Sequence, residues 1–350
     1  MKKYTILLIS IGFFVQGLKA QEPYYNDVNL SLTGQDLYFE LQNKISQASS
    51  TFTYGDAKNA AFITDEDPEN TNNVLLVFGY NDQDGNCTTD RSRDKDLFGG
   101  NSCEWNREHV FARSNANPPM GNVDNSTTGI GADPHNIRPS DSQMNNNKGN
   151  RIFTDGSGNA GVVGGNWYPG DEWKGDVARM MMYLYTRYGN QCLPSLMGTG
   201  PLQGSTDMLQ LYLEWNVEDP VSEFEDQRNP HLENVYGNRN PFIDNPYLAT
   251  IIWGGPIAED RWHLFSVSEA TANSQILLFP NPANTSFAVS SPYEIDSMGI
   301  TIYTLTGEEI VSYPKSKMNE SIDVSNLPTG IYLVVISTDR EKFEKKLIIQ

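Results

Sequence analysis

The sequence is poor in positive charge. Its 350 residues hold 25 lysines and arginines against 44 aspartates and glutamates, a formal net charge of -19. A polyanion repels a polyanion unless cations are concentrated locally, so the balance argues against nucleic acid as a partner. The deficit is uneven, however. Arg91 to Arg187 holds 11 basic and 11 acidic residues, so much of the acidity lies in flanking sequence. Nucleic acid could then be bound only weakly, in one cleft, with strong salt sensitivity and with a metal to offset like charge.

Long apolar runs are also missing. Tyr4 to Val15 is too short to span a bilayer, and no later stretch is long enough, which excludes a stable membrane span. With Lys2 and Lys3 before it and Ala20 after it, residues 1–20 read as a signal peptide cleaved before Gln21. A soluble, exported mature protein is expected. Only three cysteines are present. Export permits disulfides, and Cys87 and Cys103 flank a loop that a bridge would stabilise by about 3 kcal/mol. Cys192, with no basic neighbour, reads as a buried, inert thiol. A chain that is 38% hydrophobic and 11% aromatic is not compositionally disordered, and its length allows two domains.

The region 21–275 mixes helices and strands, an α+β pattern. Leu37, Leu41, Ile45 and Ala48 keep a four-residue spacing after Thr33, a helix start. Val74 to Tyr80 is an apolar run of strand length. Val177, Met180, Met181, Leu184 and Tyr188 predict a helix closed by Gly189, and Met208, Leu211, Tyr212 and Trp215 another stopped before Pro220. Met180 to Met182 read as core packing. From 276 to 350, short β-rich runs alternate with turn signals such as Pro280-Asn281-Pro282, which predicts a small antiparallel sandwich.

Chemistry concentrates in two segments, Trp105-Asn106-Arg107-Glu108-His109-Val110-Phe111 and Asp133-Pro134-His135-Asn136-Ile137-Arg138-Pro139-Ser140, the second running on from Asn145 to Arg151. They contain two of only four histidines. Ser140 with Gln143 reads as a capping box opening a short helix that Gly149 ends, with Asn145 and Lys148 on one face. A carboxylate and an amide oxygen are hard ligands suited to Mg²⁺, and a neutral imidazole is the usual base near pH 7. Adjacent residues on a regular strand point to opposite faces, so Glu108 and His109 can share a site only at a strand end or a bulge. Zinc is not indicated, because no second histidine falls four residues from His109.

These segments, together with Gly175 to Arg179, Trp215 to Val221 and Gly237 to Asp244, resemble the endonuclease I family of secreted, sugar-nonspecific nucleases. That resemblance implies a ββα-metal (His-Me finger) active site within the mixed helical core. It implies Glu108 and Asn145 as ligands of Mg²⁺, or of another divalent cation such as Ca²⁺ or Mn²⁺, and His109 as general base. It also implies an arginine on the cleaved phosphate. Arg113 is the candidate, with Arg138 behind it, and Asn136, Lys148, Asn150 and Arg151 are further candidates for substrate binding. DNA and RNA, contacted through phosphate and sugar and cut to 5′-phosphate ends, are the implied partners of a monomeric enzyme. Phe111-Ala112 departs from the family's usual Trp-Pro, and Lys148 from its usual arginine. His135 is expected to pack or to act through another residue, and His231 and His263 to be structural. Phe279 to Ala283, Tyr303 to Gly307, Leu327 to Tyr332 and Lys345 to Ile349 resemble the sorting domain of proteins exported by the type IX secretion machinery. Passage across an outer membrane is implied, to the medium or the cell surface. The competing readings are another secreted phosphodiester metallohydrolase and a catalytically silent adhesin or sugar-binding protein.

Overall fold

A computed structural model of the chain describes residues 21–264, 276–291, 297–304, 307–338 and 342–350. The expected signal peptide, 1–20, and the expected domain boundary near 275 lie outside them. Two compact units divide after Trp262.

The first unit opens with α1 (Gly34–Ile45) and α2 (Tyr54–Thr64). β1 (Glu66–Asp67), β2 (Asn70–Leu75) and β3 (Ser92–Asp94) then form an antiparallel sheet in that order. β4 (Trp105–His109) pairs antiparallel with β5 (Ile137–Asp141), and α3 (Ser142–Lys148) follows at once. β6 (Gly161–Val163) and β7 (Asn166–Tyr168) make a hairpin. The remaining helices are α4 (Lys174–Tyr188), α5 (Gln210–Glu218), α6 (Glu223–Asp226), α7 (Arg228–Val235), α8 (Pro241–Asp244) and α9 (Tyr247–Trp253).

Helical spacing places α1 and α4 well. Leu37, Leu41 and Ile45 are fully buried, while Ala48 falls beyond the helix. Every residue of α4 from Gly175 to Thr186 is buried, Met180 to Met182 included, so this helix is the axis of the core. Fully burying one such apolar side chain contributes about 1.5–3 kcal/mol. Gly189 ends α4 at φ 55°, a left-handed value that glycine adopts without strain.

Two local expectations change. In the run from Val74 to Tyr80 only Val74 and Leu75 belong to a strand, and the chain turns at Phe78, where φ is 74°. Leu76, Val77 and Phe78 are nevertheless fully buried, because an apolar run reports burial rather than extension. Ser140 does not cap α3 either. It lies inside β5, and Asp141 is the cap, its Oδ1 accepting from the Gln143 and Met144 amides at 2.8 and 3.0 Å.

Buried charge joins these elements. Arg138 on β5 pairs with Asp65 beyond α2 at 2.5 Å and with Asp176 on α4 at 3.0 Å. Arg228 on α7 takes the other oxygen of Asp65 at 2.6 Å, and Arg179 on α4 holds Glu225 on α6 at 2.6 Å.

Cys87 and Cys103 are bridged, with Cα atoms 5.4 Å apart. The bridge fixes the segment entering β4 to the loop before β3. Replacing both cysteines by serine is expected to lower unfolding free energy by about 3 kcal/mol, read as a lower urea midpoint. An unchanged midpoint would show the cross-link to be idle. Cys192 is free and buried, and burial pushes its thiol up to about 12.

The second unit contains β8 (Leu277–Phe279), β9 (Ser286–Ser290), β10 (Met298–Thr304), β11 (Glu309–Ser316), β12 (Ile322–Asp323), β13 (Gly330–Ser337) and β14 (Lys342–Ile349). They form two antiparallel sheets, in the orders β11-β10-β13-β14 and β12-β9-β8. Burial alternates along β9, β10 and β13. The inward residues of both sheets, among them Phe287, Val289, Ile300, Ile302, Val334, Ile336 and Leu347, form one core, as two packed sheets require.

Candidate active site

β4 is anchored at its start and open at its end. Trp105 is fully buried against Val74 and Leu76 and meets the Phe98 ring edge-on at 4.8 Å. Beyond His109 the ladder continues as Val110 N–H donates to the Asn136 carbonyl. The Asn136 side chain then clamps Phe111, its Oδ1 accepting from the Phe111 amide at 2.7 Å and its Nδ2 donating to the Phe111 carbonyl at 3.1 Å. His109 is the last residue of the regular strand, where strict alternation of side chains stops.

Around this end lies a cleft of about 570 Å³, lined by Glu108, His109, Arg113, Asn145 and Asn150 together with Tyr54, Phe98, Asn106 and Arg107. Glu108 and His109 thus face one space, although 4% and 8% exposed. Of the four histidines only His109 lines it.

His109 Nε2 lies 2.8 Å from the Gly131 carbonyl oxygen. A carbonyl only accepts, so Nε2 carries the proton and Nδ1 is left with a free lone pair. Burial, with smaller contributions from Arg113, Lys148 and Arg107, pushes the imidazole down to about 4, against the Gly131 bond. The ring is therefore neutral at pH 7. It stacks on Tyr54, centroids 5.2 Å apart and planes 19° apart. Tyr54 is held at the start of α2, where Thr53 and Asp56 form a capping box. Beside it, Gly55 brings the backbone against Asn125, whose carbonyl oxygen lies 2.9 Å from where a Cβ would stand.

Glu108 is buried beside Lys148, whose Nζ lies 2.9 Å from Oε1. The ammonium also donates to the Val110 carbonyl at 3.0 Å, so it is shared between that carbonyl and the carboxylate. Burial raises the Glu108 pKa, while Lys148 and Arg113 pull it back. Asn145 donates from Nδ2 to Asn106 Oδ1 at 2.7 Å, which leaves its own Oδ1 to a ligand. A buried carboxylate held by one ammonium and a fixed amide oxygen suit a hard divalent cation that keeps most of its waters.

The other sequence candidates separate. Arg113 lines the cleft and donates to the Gly121 carbonyl. Arg138 does not line it: it is 1% exposed, faced by two carboxylates and covered by Trp173 and Phe224 at 5.3 and 4.8 Å. Committed to buried charge, it cannot reach a phosphate. Asn136 is spent on Phe111. Lys148, fully buried, faces Glu108 rather than solvent. Arg151 donates to the Asn147 carbonyl at 2.6 Å and lines a separate hollow with Trp167, whereas Asn150 is at the cleft. His135 is buried between Tyr183 and Asn238, its Nε2 3.0 Å from Asn238 Oδ1.

Sequence reasoning missed Tyr54, Asn106 and Arg107. Arg107 had a signal, lying two residues before His109 on the same strand face. Tyr54, from a distant helix, had none.

Residues 33–247 match the family described as Endonuclease I, and residues 277–350 match the secretion system C-terminal sorting domain. An extracellular ribonuclease of Bacillus subtilis (strain 168) is 39% identical over 247 residues, covering 66% of this chain and 78% of that protein. Another, of Bacillus amyloliquefaciens, is 38% identical over the same shares. An extracellular deoxyribonuclease of Aeromonas hydrophila is 25% identical over 123 residues, 32% of this chain and 48% of that protein. The chain belongs to the endonuclease I family, and is thus a nuclease, a phosphodiester hydrolase, carrying a sorting domain that sends it to the medium or the cell surface.

Proposed function

We propose that the protein is a divalent-metal-dependent endonuclease that cuts DNA and RNA with little sequence preference, leaving 5′ phosphates, through a His-Me finger site. The observation that carries this reading is the neutral His109, its Nε2 proton bound to Gly131, in one cleft with Glu108 and Asn145. Relatives described as ribonucleases and as a deoxyribonuclease support both substrates.

In this reading His109 Nδ1 takes a proton from the water that attacks phosphorus in line with the departing 3′ oxygen. Glu108 and Asn145 hold the cation, with Lys148 setting the carboxylate. A bound Mg²⁺, Mn²⁺ or Ca²⁺ would polarise a non-bridging phosphate oxygen and offset charge developing on the departing oxygen. Arg113 binds the cleaved phosphate. The protein works as a monomer, after removal of residues 1–20, and passes through the type IX secretion machinery.

The test is cleavage of supercoiled plasmid and of RNA with Mg²⁺ and with EDTA. Both substrates should be degraded with metal and spared with chelator. Turnover confined to small phosphodiesters would favour another metallohydrolase, and absence of all turnover a silent adhesin.

A further inference from the structure

Among the described residues, every lysine and arginine between 21 and 264 is within ion-pair distance of a carboxylate except Lys58, Arg107, Arg113 and Arg151. In a chain with 44 acidic residues, three of these four gather at the cleft. Arg107 and Arg113 line the cleft, whereas Arg151 lines a separate hollow. Lys58 Nζ stands 4.3 Å over the ring of Phe98, a further lining residue.

Lys58 and Arg107 share that ring, the Arg107 guanidinium carbon lying 5.5 Å from its centroid. Arg107 also stands over Tyr54, its guanidinium carbon 3.6 Å from the ring centroid, donating to the Tyr54 carbonyl and, at 2.9 Å, to Asn125 Oδ1. Among the described residues its remaining N–H donors have no partner. A lysine over an aromatic ring is often mere surface packing. Here a second cation is fixed at the same ring by backbone and side-chain bonds, and no carboxylate neutralises either. Such a pair is set for an anionic group from outside the protein.

We propose that Lys58 and Arg107 form a second phosphate subsite, which takes a backbone phosphate flanking the one that is cleaved. It rests on the nuclease reading above and adds where the uncleaved strand runs: along β4 from His109 towards Phe98 and the exposed side of α2. Arg113 serves the reacting phosphate and the Lys58–Arg107 pair its neighbour.

The experiment compares Lys58→Gln and Arg107→Gln with wild type, with Mg²⁺, on two substrates. One is a dinucleoside monophosphate, whose only phosphate is cleaved. The other is a single-stranded oligonucleotide with phosphates on both sides of the cut. Each variant should lose about tenfold more kcat/KM on the oligonucleotide than on the short substrate, mainly through KM. The slope of log affinity on log salt should shrink by about 1 for each charge removed. Lys58 makes no hydrogen bond among the described residues, so its variant should fold, and Lys58→Arg should recover most of the loss. Equal losses on both substrates, or an unchanged KM and salt slope, overturn the subsite. Wild type that cleaves neither substrate overturns the nuclease reading, and the subsite with it.

Discussion

Replacing His109 with alanine should lower kcat by about 10²–10⁴, the usual contribution of a positioned general base, with KM little changed. The substitution removes the only histidine in the cleft, and no other imidazole can replace it: His135 is buried against Tyr183 and Asn238. The pH profile makes the expectation sharper. Burial pushes His109 down to about 4. A base works when neutral, so the part of the rate that depends on His109 is lost as pH falls through about 4 and is flat above it. An ordinary histidine would give an acid limb near 6.5. Steady-state rates across pH on wild type and His109→Ala, with Mg²⁺ held saturating, check both points. A variant that cleaves as well as wild type refutes the assignment. An acid limb near 6.5 that disappears in the variant would refute a buried, neutral ring.

Arg138→Ala should do the opposite, costing stability and sparing chemistry. Its guanidinium faces Asp65 at 2.5 Å and Asp176 at 3.0 Å, with both carboxylates buried. Removing one partner of a buried pair costs about 3–5 kcal/mol, because charge is left without compensation. Arg228 still reaches Asp65 and Arg179 reaches Asp176, which places the expected loss at the lower end, roughly 3 kcal/mol and near 10 °C in melting temperature. Urea unfolding measures the first quantity, and activity per folded molecule the second. A variant of normal stability whose KM for nucleic acid has risen would return Arg138 to the substrate.

Much of the architecture was legible because it depends on local periodicity. α1 and α4 carry a stripe of apolar residues every three or four positions, and β9, β10 and β13 follow alternation, so each can be read without knowing what it packs against. The cap of α3 was misplaced by one residue because Ser140 and Asp141 are both good caps. Both lie in the ladder, opposite Asn106 and Trp105, and Asp141, as its last residue, stands directly before the helix. The run from Val74 shows the converse, a hydrophobic signal satisfied by burial without a strand.

The candidate site divides along the same line. Glu108, His109 and Asn145 stood out in sequence because their residue types and spacing carry chemistry, and all three line one cleft. The role of each cation could not be read so. Arg113, Arg138, Lys148 and Arg151 are alike as symbols, and only their surroundings separate a solvent-facing guanidinium from one neutralised in the core. Net charge was misleading for the same reason: the acidic surplus says nothing of which cations the fold leaves unpaired. By itself the sequence determined two units, the helices α1, α3, α4 and α5, the β-rich second unit, a family and a set of reactive groups. The tertiary structure alone decided which groups meet, which nitrogen of His109 is free, and which cations face outward, because burial and pairing act between residues far apart in the chain.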